Sequence, residues 1–270
     1  AQMDKMVPYP SGAIVPERDV DKRPVLETHH LGIDFGGLTA VDEFSITVGR
    51  TEIAGLIGPN GAGKTTALLT AAGVFSPYRG KVKYRGKPIS TFRKDKGSAG
   101  KIGVLVQNPL CCFVMDSVAE ELEATAKAYK LPRSGIEEVI DIMQLQSVLG
   151  SNPYDISGGE LQRAAIAKLL LPEPEVIFLD EATKGMDAFF KAEFGALLRR
   201  LAARGTAIVL VSHDIEFCAE FADRRNVFQR NRYCGRHAAG CFSRQQFLHN
   251  IRLPHFPRNN PRCADFGAGH

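Results

Sequence analysis

No stretch of this sequence approaches the roughly 18–20 consecutive apolar residues that a membrane-spanning helix needs. Its N-terminus also lacks the charged-then-apolar layout of a secretory signal. Charge of one sign is not in surplus. Lys and Arg number 34 against 30 for Asp and Glu, and a net +4 is too mild to point to a nucleic-acid partner. Cysteine is sparse, with six in 270 residues, far below the density of a disulfide scaffold. Together these absences lead us to expect a soluble chain of the reducing cytoplasm. What is present is a globular composition, 44% hydrophobic and 24% charged. The length allows a full core in one large domain or two small ones.

The chain is organised around GPNGAGKTT, residues 58–66. This fits the spacing G-x-x-x-x-G-K-[ST], with Gly58, Gly63, Lys64 and Thr65 on the fixed positions. Glycines let the backbone turn tightly, so that N–H groups converge on nucleotide phosphates. Asn60, Gly61 and Thr66 belong to the same cradle. Lys64 is placed to reach the β- and γ-phosphates, and the Thr65 hydroxyl to take one position on Mg²⁺. The context agrees. Residues 52–57 read as a strand feeding the loop, and residues 65–72 as a helix whose N-terminus meets the phosphates.

Upstream, residues 25–33 and 43–48 alternate apolar and polar side chains, as an antiparallel ribbon would. Phe35 lies between them, 23 residues before Gly58. That spacing suits an aromatic stacked on adenine, and equally an ordinary core aromatic. Downstream, residues 80–84 and 101–106 read as strands separated by a polar, glycine-bearing loop at 85–100. Gln107 closes the second of them before Asn108-Pro109 stops it, where an amide suits a contact to Mg²⁺ or water. Residues 116–130 are helical, with a capping box from Ser117 and Glu120; Ser134 and Glu137 predict a second helix to about residue 144. This insert of roughly 35–40 residues is long for a crossover and makes a candidate docking surface.

ISGGELQR, residues 156–163, opens a helix that runs to about Leu170. Ser157, Gly158 and Gly159 there either present free N–H groups to an anion or simply cap the helix. VIFLDE, residues 176–181, reads as a buried parallel strand ending in two carboxylates. Asp180 suits a second Mg²⁺ ligand, and Glu181 a general base polarising an attacking water. KGMD, residues 184–187, turns into a helix over 188–203. The next strand, 206–211, ends at Ser212-His213-Asp214, which places His213 to sense a γ-phosphate.

Taken together, these stations resemble the ATP-binding subunits of ABC transporters, from Leu26 to about Arg224. GPNGAGKT looks like the Walker A loop, Phe35 like the adenine-stacking aromatic and Gln107 like the Q-loop. ISGGELQR is similar to the family signature, VIFLDE to Walker B with Glu181 as its catalytic glutamate. KGMD with Asp187 resembles the D-loop, and His213 the switch histidine. Ile156 departs from the usual leucine, and Ala182 from the usual proline.

The resemblance implies an α/β fold: a P-loop NTPase of ABC type, with a mixed core sheet, an antiparallel β subdomain and a helical subdomain at about residues 110–172. It implies ATP as ligand and Mg²⁺ held by Thr65, Gln107 and Asp180, with Glu181, His213 and Gln107 in catalysis. It implies head-to-tail pairing with a second ATPase domain, a copy or a related subunit, across Ser157, Gly158, Gly159 and Asp187. It also implies docking on integral membrane subunits, no nucleic acid, and a cytoplasmic place on the inner face of the cell membrane.

The subfamily likeness is divided. Residues 29–66 look like ATPases of branched-chain amino-acid importers. From about Tyr78, YRGKVKYRGKPI, QNPLCCFVMDSVAEEL, DEATKGMDAFFK and VSHDIEFCAEFADR look like energy-coupling-factor transporters, which import vitamins and transition-metal ions. The reading leans to the latter. A soluble ABC ATPase of repair or translation, and a nucleotide-responsive scaffold, are the alternatives.

The flanks read differently. Residues 1–24 carry four prolines amid charge and no period, as a loose arm would. After Arg224 the apolar order collapses, and residues 225–270 read as an aberrant tail. Cys234, His237, Cys241, His249, His255 and Cys263 fit no tidy zinc spacing. Codons permitted for RNVFQRNRYCGRHAAGCFSRQQFLHNI, read one nucleotide later, yield GMFFNGIVTAEGTPQGVFRGNNFYTTS. That string alternates like a strand, turns at Asn-Gly, and looks like the segment energy-coupling-factor ATPases carry there. We therefore expect a frameshift product from Arg225 on, loss of the closing strands, and few tertiary contacts at residues 250–270.

Overall fold

The computed structural model describes residues 20–21, 23–92, 94–229 and 232–233. The arm over residues 1–19, the candidate zinc ligands and residues 250–270 lie outside the described residues.

Strand β1 (Pro24–Phe35) turns at Gly36-Gly37 and returns as β2 (Leu38–Phe44), antiparallel to it. Those two glycines have φ of +60° and +93°, the tight turn whose twist matches its flanking strands. After β3 (Thr47–Gly49), which also pairs with β1, the chain enters the centre of the molecule as β4 (Ile53–Ile57). Helix α1 (Lys64–Ala71) follows, and then β5 (Arg79–Tyr84) and β6 (Lys87–Pro88) complete the antiparallel part. A short α2 (Ile89–Phe92) leads to β7 (Ile102–Leu105).

The helical insert comprises α3 (Val118–Tyr129), α4 (Arg133–Met143) and α5 (Gly158–Leu170). Beyond it run β8 (Val176–Asp180), α6 (Ala188–Ala203), β9 (Ala207–Val211), α7 (Ile215–Phe221), β10 (Arg224–Gln229) and β11 (Arg232–Tyr233).

The described strands form one sheet in the order β6-β5-β1-β2-β11-β10-β4-β9-β8-β7, with β3 on β1. In its parallel part, β10-β4-β9-β8-β7, the strands β4, β8 and β9 are buried on both faces, so they are almost continuously apolar and alternate between two cores. Ile53, Ile177, Leu179, Ile208 and Leu210 point into a core shared with α3 to α7. Ala54, Leu56, Phe178 and Val209 point into the other, shared with α1 and the antiparallel strands. The carboxyl ends of β4, β7, β8 and β9 therefore lie along one rim, where open α/β sheets bind ligands.

Several expectations need correction. The segment expected as one strand at 43–48 is split: β2 ends at Phe44, one residue past the left-handed Glu43 (φ +57°), and β3 begins at Thr47, each pairing with β1. The expected loop at 85–100 contains β6, α2 and a 3-10 turn, Lys96–Ser98. Ser134 does not cap α4. Pro132 stands at the N-cap with φ −71°, and its fixed ring starts the helix ahead of the hydroxyl.

The largest difference lies past Arg224, where the ordered domain was expected to end. Residues 225–228 continue as a central strand, paired in parallel register with β4 from Arg224↔Ala54 to Val227↔Ile57. Phe228 is fully buried against Phe44, with ring centroids 5.3 Å apart. Arg225 and Asn226 are buried too, but their polar groups are satisfied. The Arg225 guanidinium donates to the carbonyls of Cys218, Ala219 and Ala222 at the end of α7, and Asn226 donates to Gly55.

Candidate nucleotide site

The phosphate loop is shaped by close packing as much as by flexibility. Gly63, at the N-cap of α1, has φ +89°, and a Cβ there would lie 2.3 Å from the Ala40 carbonyl oxygen. A Cβ on Gly58 would lie 2.5 Å from the Phe228 carbonyl oxygen, so β10 packs directly on the start of the loop. Only glycine fits either place. Lys64 is buried, and its Nζ donates to the carbonyls of Gly58 (2.8 Å) and Pro59 (3.0 Å). Burial pushes its ammonium below the usual lysine range, while Glu181 and Asp180 pull it back up.

Asp180 ends β8 with both carboxylate oxygens buried and in no complete hydrogen bond with any described residue. Burial raises its carboxyl above the usual range; the nearby Thr65 hydroxyl and Lys64 ammonium oppose that rise, and Glu181 adds to it. A buried, unpartnered carboxylate beside a hydroxyl fits a hard cation that takes oxygen ligands, so the donor set suits Mg²⁺. Glu181, the next residue, has φ +54°, a left-handed conformation costly for a side chain of this kind. Its Oε2 accepts from the backbone N–H of His213 (3.3 Å) and from His213 Nδ1 (2.5 Å). The backbone N–H of Glu181 donates to Val211 (2.9 Å), which fixes the carboxylate between the tips of β8 and β9.

A cavity of about 480 Å³ is lined by Asn60, Gly61, Gly63, Lys64, Thr65, Thr66, Gln107 and Glu181. Those sequence-predicted residues, drawn from three separate segments, come together there. Leu38, Thr39 and Ala40 complete its wall and were missed by sequence reasoning. The available signal was their position immediately after the Gly36-Gly37 turn, on the strand that faces Phe35. Phe35 is not among the lining residues. It is half exposed and packs edge-on against Phe75 at 5.6 Å, so it is not an ordinary core aromatic. Gly58 and Asp180 sit behind the wall, and His213 reaches the cavity only through Glu181.

The remaining predicted residues lie away from this cavity. Ser157 caps α5 in a reciprocal capping box with Glu160, the Ser157 N–H donating to the Glu160 carboxylate at 2.9 Å. Ser157 and Gly158 are exposed, and a Cβ on Gly159 would lie 3.1 Å from the Gly185 carbonyl oxygen. Asp187 caps α6 by accepting from the Phe190 N–H at 2.7 Å.

Such a fold and rim define a phosphate-loop nucleotide-binding domain. The sequence profile of the ABC transporter family matches residues 41–184, and the chain belongs to that family. An ABC transporter ATP-binding protein of Clostridium tetani is 37% identical over 74% of this chain. The chain spans less than half of that relative, 46% of its length. The energy-coupling factor transporter ATP-binding protein EcfA of Methanocaldococcus jannaschii is 32% identical over 74% of each chain. Among solved structures, cbiO1 of Clostridium perfringens, part of the ABC transporter complex cbiONQ, superposes with a TM-score of 0.71 at 25% identity, covering 86% of this chain and 96% of that one.

Proposed function

We propose that this chain is the ATP-hydrolysing subunit of an ABC-type importer that takes up a vitamin or a transition-metal ion. Its partners in this reading are integral membrane subunits and a second ATPase domain, on the inner face of the membrane. The observation that carries the reading is the convergence of the phosphate loop, Gln107 and Glu181 on one cavity, with Asp180 unpartnered behind it. Likeness to an HMP/thiamine import ATP-binding protein of Bacillus subtilis, 30% identical over 80% of this chain, and to a zinc import ATP-binding protein of Pseudomonas putida, 33% identical over 79%, supports the solute class. Among the described residues no helix is long and apolar enough to cross a membrane.

The chemistry follows from the geometry. Phosphate oxygens entering the loop meet the amides of residues 60–66 and draw Lys64 Nζ off the carbonyls of Gly58 and Pro59. Phe35, exposed beside the mouth, offers its face to the adenine. Thr65, Asp180 and Gln107 would hold Mg²⁺, which when bound supplies charge neutralisation of the β- and γ-phosphates. Glu181 accepts the proton of a water whose oxygen bonds to the γ-phosphorus as the bridging oxygen leaves with ADP. His213 keeps the Glu181 carboxylate oriented throughout.

The N-terminus of α5 at Gly158 and Gly159, beside the exposed Ser157, and the turn before Asp187 both suit a second domain's nucleotide. The exposed apolar side chains of Val114 and Met115, just ahead of α3, and of Tyr154 suit docking on the membrane subunits.

Steady-state hydrolysis tests the proposal. The purified chain should release phosphate from ATP, and Glu181→Gln should lower kcat by about 10²–10⁴-fold while leaving ATP binding intact. A tagged chain should also co-purify with integral membrane proteins. Hydrolysis unchanged in Glu181→Gln contradicts the site; isolation free of any membrane protein contradicts the importer.

A further inference from the structure

His213 has a side chain that is 66% exposed, yet it must stay on Glu181 for that carboxylate to be oriented. A half-free imidazole on a loop does not hold itself there, so the source of its rigidity lies in the loop. The residue after it, Asp214, is bound on three sides. Its N–H donates to Ser212 Oγ at 3.0 Å, and its carboxylate accepts from the Phe217 N–H at 3.0 Å as the N-cap of α7. The same carboxylate accepts from Lys191 Nζ at 2.7 Å. Burial alone would raise the Asp214 carboxyl, but the Lys191 and Phe217 hydrogen bonds outweigh it and hold it below the usual range.

Lys191 belongs to the first turn of α6, and its N–H donates to the Asp187 carbonyl. A continuous path of contacts thus runs from Asp187 through Lys191 and Asp214 to His213 and Glu181. The pair links the first turn of α6 to the tip of β9, beside the direct Glu181–His213 contact.

We propose that Lys191 is a positioning residue for ATP hydrolysis: through Asp214 it fixes the His213 loop, so that the imidazole holds Glu181 in its working orientation. This rests on the reading of Glu181 as the general base. Lys191 touches neither nucleotide nor Glu181, and a partly exposed ion pair contributes little to global stability, so its removal should act on turnover rather than on folding. Small misplacements of a catalytic group are costly, whereas the phosphate loop that binds ATP is untouched.

The test is a kinetic series on the full chain. Lys191→Ala should lower kcat about tenfold with KM for ATP within about twofold and thermal unfolding unchanged. Lys191→Arg should return to within about threefold of the parent. Asp214→Asn keeps the helix cap but weakens the pair, and combined with Lys191→Ala it should add no further loss. The proposal is overturned if Lys191→Ala turns over like the parent, if it raises KM alone, if arginine fails to rescue, or if the two losses multiply. Glu181→Gln run alongside separates the cases: activity surviving there removes the general base itself, whereas activity surviving only in Lys191→Ala removes the positioning role.

Discussion

Asp180 shows what a single residue gives up to the site. Its carboxylate is buried without a complete hydrogen bond, and burial raises its pKa in the folded chain. The folded state therefore holds that proton more tightly than the unfolded state, so the group favours folding at low pH. That contribution is lost as pH rises through the raised value. Above that value the ionised carboxylate is a liability that a bound cation would relieve. Asp180→Asn should consequently raise Tm by about 2–4 °C at pH 8, on the order of 1 kcal/mol, while abolishing Mg²⁺-dependent hydrolysis. The gain should shrink as pH falls toward the carboxylate range; scanning calorimetry across pH, run without metal, checks it.

The convergence of Lys64, Thr65 and Glu181 on one cavity was legible where motif spacing places each of them. The strained φ of Glu181 and the wall built by Leu38, Thr39 and Ala40 were not, because both depend on strands brought together from distant segments.

At the scale of the element, α6 and β10 are opposite cases. Helix α6 was readable to its ends, since Asp187 supplies a local cap and the apolar period runs unbroken to Ala203. Strand β10 was not readable. Arg225 and Asn226 stand at buried positions of a central strand, where sequence patterning demands apolar residues. They are accommodated by carbonyls of α7 and β4, partners that no local pattern announces. The strand closes the gap between the parallel and antiparallel parts and supports the phosphate loop through Phe228. Phe228→Ala should therefore cost about 3–5 kcal/mol in urea unfolding. The same change should also weaken ATP binding by loosening Gly58. A variant that loses no stability would show that β10 is not part of the folded core.

Over the whole molecule, two cores share the two faces of one sheet, and the site lies on the rim between them. The larger core ties the helical insert to the sheet, and part-buried polar bonds brace the insert internally and against α6. Glu121 accepts from Lys168 on α5 (2.6 Å), and Gln144 donates to Glu193 on α6 (3.0 Å). The Glu121 carboxylate also accepts from the backbone N–H groups of the exposed Val114 and Met115, which ties that segment to the start of α3. The architecture and the cavity's main segments were legible because the phosphate loop, Gln107, Glu181 and His213 each follow a strand of the parallel sheet, where motif and topology coincide.

Everything else depends on that rim being an ATP site. The most direct measurement is equilibrium binding of ATP with Mg²⁺ to the purified chain, by calorimetric titration, beside Lys64→Ala. One saturable site is expected, with an affinity between about 1 μM and 1 mM, weakened at least about tenfold by Lys64→Ala. No saturable binding, or equal binding by both proteins, would contradict the account.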